Sequence, residues 1–286
     1  MVTSPADGPR RVVLDVDTGV DDALALLYAA ASPALELCGV TTVAGNVPVE
    51  VAARNSAAVL AHAGAGHVPV AVGASRTTAG GGPRTGPTNH GTDGLGGVAL
   101  PPGPEPSALG VRAVVDEVAS AGAYTLVALA PMTNVAELAP SAAEVVLLGG
   151  AVGGELAAGE PPEFNAAHDV PATLRALASG RPTKLYVIDV FEQVSVRVED
   201  VARLRSSDRP AARLAGDLLA VRRSRPIGDA GALVLLTHAH LFRVEQRRVG
   251  IVGSTLTEAP DGRLLDVVVG VDAPAVARAY VDALLA

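Results

Sequence analysis

Aromatic residues make up only 2% of the 286-residue chain, and tryptophan is absent. A core built from such a sequence must be filled by aliphatic side chains, and Ala, Val and Leu supply most of the 49% apolar content. Cysteine occurs once, as Cys38, which excludes an internal disulfide and leads us to expect a reducing, cytoplasmic setting. Lysine also occurs once, as Lys184; the rest of the basic charge is arginine, and the net charge is −8. That balance lacks the clustered positive charge on which non-specific nucleic-acid binding depends. No apolar run reaches the roughly 18 residues needed to span a bilayer. The opening MVTSPADGPRR lacks the apolar centre of a signal peptide, so no membrane partner is expected.

What is present is an alternation of short β-branched runs and Ala-rich helical patterns. Strands are expected at 11–16, 37–43, 68–72, 124–130, 144–150 and 184–190, with helices at 48–63, 106–121, 133–139, 170–179 and 209–222. Two more strands, RRVGIVG and RLLDVVVGV, and a closing helix follow. Continuous apolar strands separated by helices predict an α/β fold: one open, mostly parallel sheet with helices on both faces. No shift in composition marks a boundary, so a single domain over residues 1–286 is expected, with 1–10 disordered. The Gly/Pro-rich segments 74–105 and 150–168 are too long for simple connections. They follow strands, which places them over the carboxyl ends where open parallel sheets bind ligands.

The first expected strand ends in an unusual way. VVLDVDTGVDDA puts Asp15, Asp17, Asp21 and Asp22 within eight positions, where a strand stops and a helix starts. One acid is explained as a helix cap or a complement to the helix dipole. The others would repel one another at a partly buried strand end unless a cation relieves them. A set of carboxylates without cysteine selects a hard ion, Ca²⁺ or Mg²⁺.

DVDTGVDDA, together with VTTVAGN (40–46), NHGTDGLGG (89–97), LAPMTNVAEL (129–138), VVLLGGAVGG (145–154), EFN (163–165) and GDAGALV (228–234), resembles the inosine-uridine-preferring nucleoside hydrolases across nearly the whole chain. The resemblance implies a Rossmann-like fold and hydrolysis of the N-ribosidic bond of a small-molecule nucleoside. It implies Ca²⁺ held by Asp17, Asp22, the Thr133 carbonyl and Asp229. Asp21, Asn46, Glu163, Asn165 and Asp229 would bind the ribose, and Asp17 would take a proton from the attacking water. A homo-oligomer, dimer or tetramer, is the family expectation. Each residue also has a plainer reading: Asn46 as a turn residue, Thr133 as a helix cap, Asp229 as the cap of helix 230–237.

The chain departs from the family where the leaving base is protonated. Purine-accepting members carry a His-Asp pair there, and this chain has Gly228-Asp229. An Asn that precedes EFN in the family also has no counterpart. His90 in NHGTDG matches a family histidine on a loop over the base and is the expected catalytic partner, against the alternative of a solvated loop residue. His168, His238 and His240 are further proton donors to weigh. Arg222, Arg223 and Arg225 form either a solvated face or a contact for an anionic leaving group. Two other readings remain open. One is a haloacid-dehalogenase-like phosphatase with Asp15 as nucleophile, Asp17 as acid and Lys184 as a later motif. The other is a nucleoside- or ribose-binding homologue that has lost catalysis.

Overall fold

The computed structural model describes residues 8–85, 88–152, 161–222 and 225–286. Its sheet contains β1 (Arg10–Val16), β2 (Leu35–Thr42), β3 (Val70–Val72), β4 (Thr125–Ala128), β5 (Glu144–Leu148), β6 (Thr183–Tyr186), β7 (Phe242–Val252), β8 (Thr255–Glu258) and β9 (Arg263–Val271). They lie in the order β3-β2-β1-β4-β5-β6-β9-β7-β8. Every pairing from β3 to β9 is parallel, while β7 runs antiparallel to both β9 and β8. Consecutive residues Val12, Val13 and Leu14 are fully buried, so both faces of the central strand are covered. The mostly parallel α/β sheet expected from the sequence is observed.

The order contains a reversal that matters. The chain steps outward from β1 through β2 to β3, then returns to place β4 on the other side of β1. The carboxyl ends of β1 and β4 therefore flank the switch point, the usual ligand position in such sheets. The helix Val20–Ala31 leaves β1 at this point and is buried almost all round, which is the pattern of a central core helix. It packs against the helices Val49–His62, Pro210–Ala220, Gly228–Thr237 and Ala273–Leu285.

Differences from expectation have local causes. The strand expected at 184–190 stops at Tyr186, because its neighbour β5 ends at Leu148, paired with Tyr186. Gly149 and Gly150, at φ 155° and 77°, turn β5 away, and Ile188 donates to the Gly150 carbonyl as a short helix Ile188–Phe191 begins. In the C-terminal part there are three strands and not two: Gly253, at φ 64°, closes a tight hairpin that adds β8. Arg10 already belongs to β1, so the order of the chain starts before the expected residue 11. Residues 1–7, part of the segment 150–168 and Arg223 lie outside the described residues. Among those described, no helix is long and apolar enough to cross a membrane.

Candidate functional site

The acidic turn after β1 is held from three sides. Asp17 accepts hydrogen bonds from the main-chain N–H of Asn46 at 2.6 Å and from its side-chain amide at 3.2 Å. A Cβ on Gly45 would overlap the Asp17 carboxylate, so the chain can approach this closely only as glycine. Asp22 accepts from the Gly19 N–H at 2.9 Å and the Asp17 N–H at 3.3 Å, so the plain capping reading is correct for Asp22. It accounts for one acid of the four. Asp21 forms an ion pair with Arg222, a contact between residues 201 positions apart.

Asp229 comes to the same place from the far end of the chain. It sits in the first turn of the helix Gly228–Thr237, which packs on Val20–Ala31. Burial pushes its carboxyl well up, and the charges of Asp22, Asp21 and Asp17 push it further, with Arg222 opposing. Asp22 is raised by burial and by Asp17 and Asp21 in turn. Burial takes Asp17 to about 7 despite its hydrogen bonds. These mutual shifts show four carboxylates gathered within electrostatic reach in a desolvated crevice.

Beneath them Asp15 is fully buried, accepting from Thr41 Oγ1 at 2.5 Å and Asn134 Nδ2 at 2.8 Å. Its second oxygen has no partner among the described residues, and burial pushes its carboxyl up to about 7. Asn134 also donates to the Thr42 carbonyl and accepts from Ala74 N–H. It thereby ties the ends of β1 and β2 to the turn after β4 that carries Thr133. Thr133 Oγ1 donates to Asp169 at 2.9 Å, and no backbone N–H among the described residues is directed at its carbonyl. Sequence reasoning passed over Asn134, whose signal was its place in the PMTN turn.

On the β5 side, Glu163 caps the short helix Phe164–His168 and is buried. Its oxygens accept from the N–H groups of Asn165 at 2.8 Å, Gly150 at 2.8 Å and Ala166 at 3.0 Å. Burial raises its pKa and these three donors and Arg84 lower it. Asn165 donates to the Leu129 carbonyl at 2.9 Å, at the end of β4.

His90 is not a solvated loop residue. It is buried, and its Nδ1 accepts the Val20 N–H at 3.1 Å at the start of the central helix. Burial, then Arg222 and Arg84, lower its pKa to about 4. The ring is therefore neutral near pH 7, with its proton on Nε2. His238 and His240 follow the carboxyl end of the helix that carries Asp229 in its first turn, some ten residues or roughly 15 Å away. His168 packs at a tilt against Phe164, with ring centroids 4.6 Å apart. Of the arginine cluster, Arg222 reaches the site, whereas Arg225 donates to the Val196 carbonyl.

Lys184 pairs with Glu144, and these are near the amino ends of β6 and β5. The site lies at the opposite, carboxyl ends. The lysine that a phosphatase mechanism needs beside Asp15 is thus at the wrong edge of the sheet. A cavity of about 760 Å³ lined by Arg10, Arg11, Tyr124 and Glu144 also lies at that amino edge, away from the acidic turn.

The donor set has the chemistry of a hard-cation site: buried, oxygen-only and short of positive charge. Among the described residues no three His, Cys, Asp or Glu side chains converge as a closed cage. Asp17 is turned onto Asn46, Asp22 onto backbone amides and Asp21 onto Arg222. A divalent ion would relieve the mutual opposition of these buried carboxylates, which Arg222 compensates in part.

Comparison with known proteins agrees with this geometry. Residues 12–278 match the family described as inosine-uridine preferring nucleoside hydrolase. An uncharacterized protein of Schizosaccharomyces pombe is 33% identical over 207 residues, 68% of this chain and 66% of that protein. Uridine nucleosidase 1 of Arabidopsis thaliana is 31% identical over 239 residues, 80% of this chain and 71% of that protein. The chain thus spans about two thirds of the lengths of these relatives. The structure of a purine-preferring ribonucleoside hydrolase from Gardnerella vaginalis superposes with a TM-score of 0.88 at 24% identity, covering 96% of this chain and 98% of that one.

Proposed function

The chain belongs to the inosine-uridine preferring nucleoside hydrolase family, and from that premise we propose that it hydrolyses the N-ribosidic bond of a ribonucleoside to free base and ribose. The observation that carries this reading is the gathering of Asp17, Asp21, Asp22 and Asp229 outside the carboxyl ends of β1 and β4.

Asp17, Asp22, Asp229 and the Thr133 carbonyl would hold Ca²⁺. When bound, that ion supplies acidification of a water and an anchor for vicinal hydroxyls. Asp17 takes the proton from the attacking water, a role suited to a carboxylate whose burial moves its pKa toward neutrality. Asp21, Asn46, Glu163, Asn165 and Asp229 hold the ribose. As the C1′–N bond breaks, positive charge grows on the ribosyl ring, and surrounding carboxylates and amides stabilise it. His90, pinned through Nδ1, would act as a neutral Nε2–H donor and not as an imidazolium. Gly228 supplies no proton.

A panel of purine, pyrimidine and modified nucleosides with Ca²⁺, assayed for free base and ribose, tests the proposal. Free base from at least one member is the expected result. No base from any of them, with phosphate released from nitrophenyl phosphate, would overturn it in favour of a phosphatase.

A further inference from the structure

Of the four acids gathered after β1, one is held differently from its neighbours. Asp17 and Asp22 accept from neutral amide groups, those of Asn46, Gly19 and the Asp17 main chain. Carboxylates so held keep lone pairs for a cation, since each oxygen carries more than one. Asp21, next to Asp22 in sequence, is instead paired with the Arg222 guanidinium. The side chains of Arg222 and Asp21 are 10% and 19% exposed, so the two charges meet away from bulk water. The contact takes Oδ1 of Asp21 and leaves Oδ2 without a protein donor among the described residues.

Packing brings Arg222 to this place. It follows the helix Pro210–Ala220, which lies against Val20–Ala31, and its N–H donates to the Leu219 carbonyl at 3.3 Å. The preceding Val221 covers Gly96, where a Cβ would come within 2.9 Å of its methyl group. Gly96 in turn donates to the His90 carbonyl at 2.8 Å. Arg222 therefore joins the central helix where the loop carrying His90 meets the end of Pro210–Ala220. Its charge is felt at Asp229 as well. A buried ion pair adds little net stability over an apolar pair of the same size, so stability alone does not account for it.

We propose that Arg222 sorts these carboxylates: by holding Asp21 it keeps that residue out of the coordination of the divalent ion and reserves it for the sugar, while Asp17, Asp22 and Asp229 remain for the ion. Arg222 is thus a positioning residue that acts through Asp21. The inference rests on the nucleoside-hydrolase reading, which gives Asp21 to the ribose. Removing Arg222 acts on ion and sugar with opposite signs. Asp21 becomes a further anionic ligand, which tightens the hold on Ca²⁺ because affinity rises with the charge of the ligand set. The ribose loses a carboxylate held ready for it. An arginine with a merely structural role would shift both in the same direction, since a loosened site binds ion and sugar less well.

Calcium affinity by titration calorimetry, with KM and kcat for the best-cleaved nucleoside, tests this in wild type, Arg222→Gln and Arg222→Lys. Arg222→Gln is expected to bind Ca²⁺ about tenfold more tightly. Its KM should rise by a factor of roughly 10 to 100, the usual worth of a charge-assisted contact, with a smaller change in kcat. Arg222→Lys keeps the positive charge and should recover most of the wild-type behaviour. In EGTA, Arg222→Gln should melt below the wild type, because its buried carboxylates have lost their counter-charge, and saturating Ca²⁺ should close that gap. The double variant Asp21→Asn with Arg222→Gln removes the pair as a unit. It should return calcium affinity to the wild-type level, because the ligand gained in Arg222→Gln is Asp21 itself.

Unchanged or weaker calcium binding in Arg222→Gln overturns the proposal, and so does tighter binding with KM unchanged. Loss of calcium binding in the double variant, which carries the test if Arg222→Gln does not fold, would show Asp21 to be a metal ligand and overturn it too. Ribose binding separates this from failure of the hydrolase reading. With Ca²⁺ present, ribose should raise the melting temperature of the wild type and do so less in Arg222→Gln. If no nucleoside is cleaved while calcium binds more tightly and ribose less tightly in Arg222→Gln, the hydrolase reading fails and the sorting by Arg222 stands. A wild type that binds no calcium refutes the sorting, whatever nucleosides it cleaves.

Discussion

The main-chain N–H of Val20 points at Nδ1 of His90 across 3.1 Å, joining the loop over the site to the first turn of the central helix. Gly19 makes room for it, since a Cβ there would press into the imidazole ring. A hydrogen bond received at Nδ1 and burial both oppose a second proton.

His90 is therefore expected to titrate near pH 4, well below the ordinary 6.5 of histidine. The unfolded chain takes up this proton as pH falls through about 6.5, while the folded protein resists until about 4. Stability from the neutral ring is thus complete above 6.5 and declines between 6.5 and 4. Nitrogen-15 NMR of the imidazole across that range checks this, with Nε2 protonated at pH 7. A midpoint near 6.5 would show that the ring is not buried against Val20.

Removing calcium should loosen the fold. A ligand at a hundredfold its Kd stabilises by about 2.7 kcal/mol, which for a chain of this size is roughly 5 °C in Tm. EGTA is expected to lower Tm by about that amount, and the shift should vanish in Asp22→Asn, which weakens the site. An unchanged Tm, with no calcium in the purified protein, would rule the assignment out.

Asp17 and Gly45 form a linked prediction. Asp17→Asn keeps the shape of the side chain and removes the base, so kcat should fall by about 10²–10⁴-fold with little change in KM. Gly45→Ala leaves the carboxylate in the chain but drives a methyl group into its position. Its activity should fall for a geometric reason. Full activity in Gly45→Ala would mean that Asp17 is not held where the structure places it.

Much of this site could be read from the sequence because its acids are local: Asp15 through Asp22 span one strand end and one helix start. The parallel strands β1 to β6 were legible for a similar reason, since each is a continuous apolar run, whereas their order in the sheet was not. What the sequence hid was long-range. Nothing local pairs Asp21 with Arg222, and nothing local says that Asn134 binds Asp15 across 119 positions. β8 escaped because four residues of TLTE carry no burial pattern of their own and become a strand only by pairing with β7. Arg84 sits in a glycine-rich stretch where a charged side chain reads as solvated, and only the Phe164 ring beneath it shows otherwise.

The last prediction concerns the leaving base. Gly228 has no proton to give, and a general acid usually contributes about 10²–10⁴-fold. An activated substrate such as a nitrophenyl riboside leaves without protonation and should be cleaved well by an intact ribose site. Inosine should be slower in kcat by a margin of that order. Gly228→His is not expected to close the gap by itself, because a Cβ at this position already comes within 3.0 Å of the Phe191 ring. Phe191 stands edge-on against buried Tyr186, ring centroids 6.0 Å apart, which blocks its retreat on that side. The double variant Gly228→His with Phe191→Ala opens that space, so it should raise inosine turnover above either single change, provided the new ring can face the base. Rates for inosine and the nitrophenyl riboside in these four proteins decide the matter. Equal rates on both substrates in the wild type would mean that another group, with Nε2 of His90 first in line, already delivers the proton.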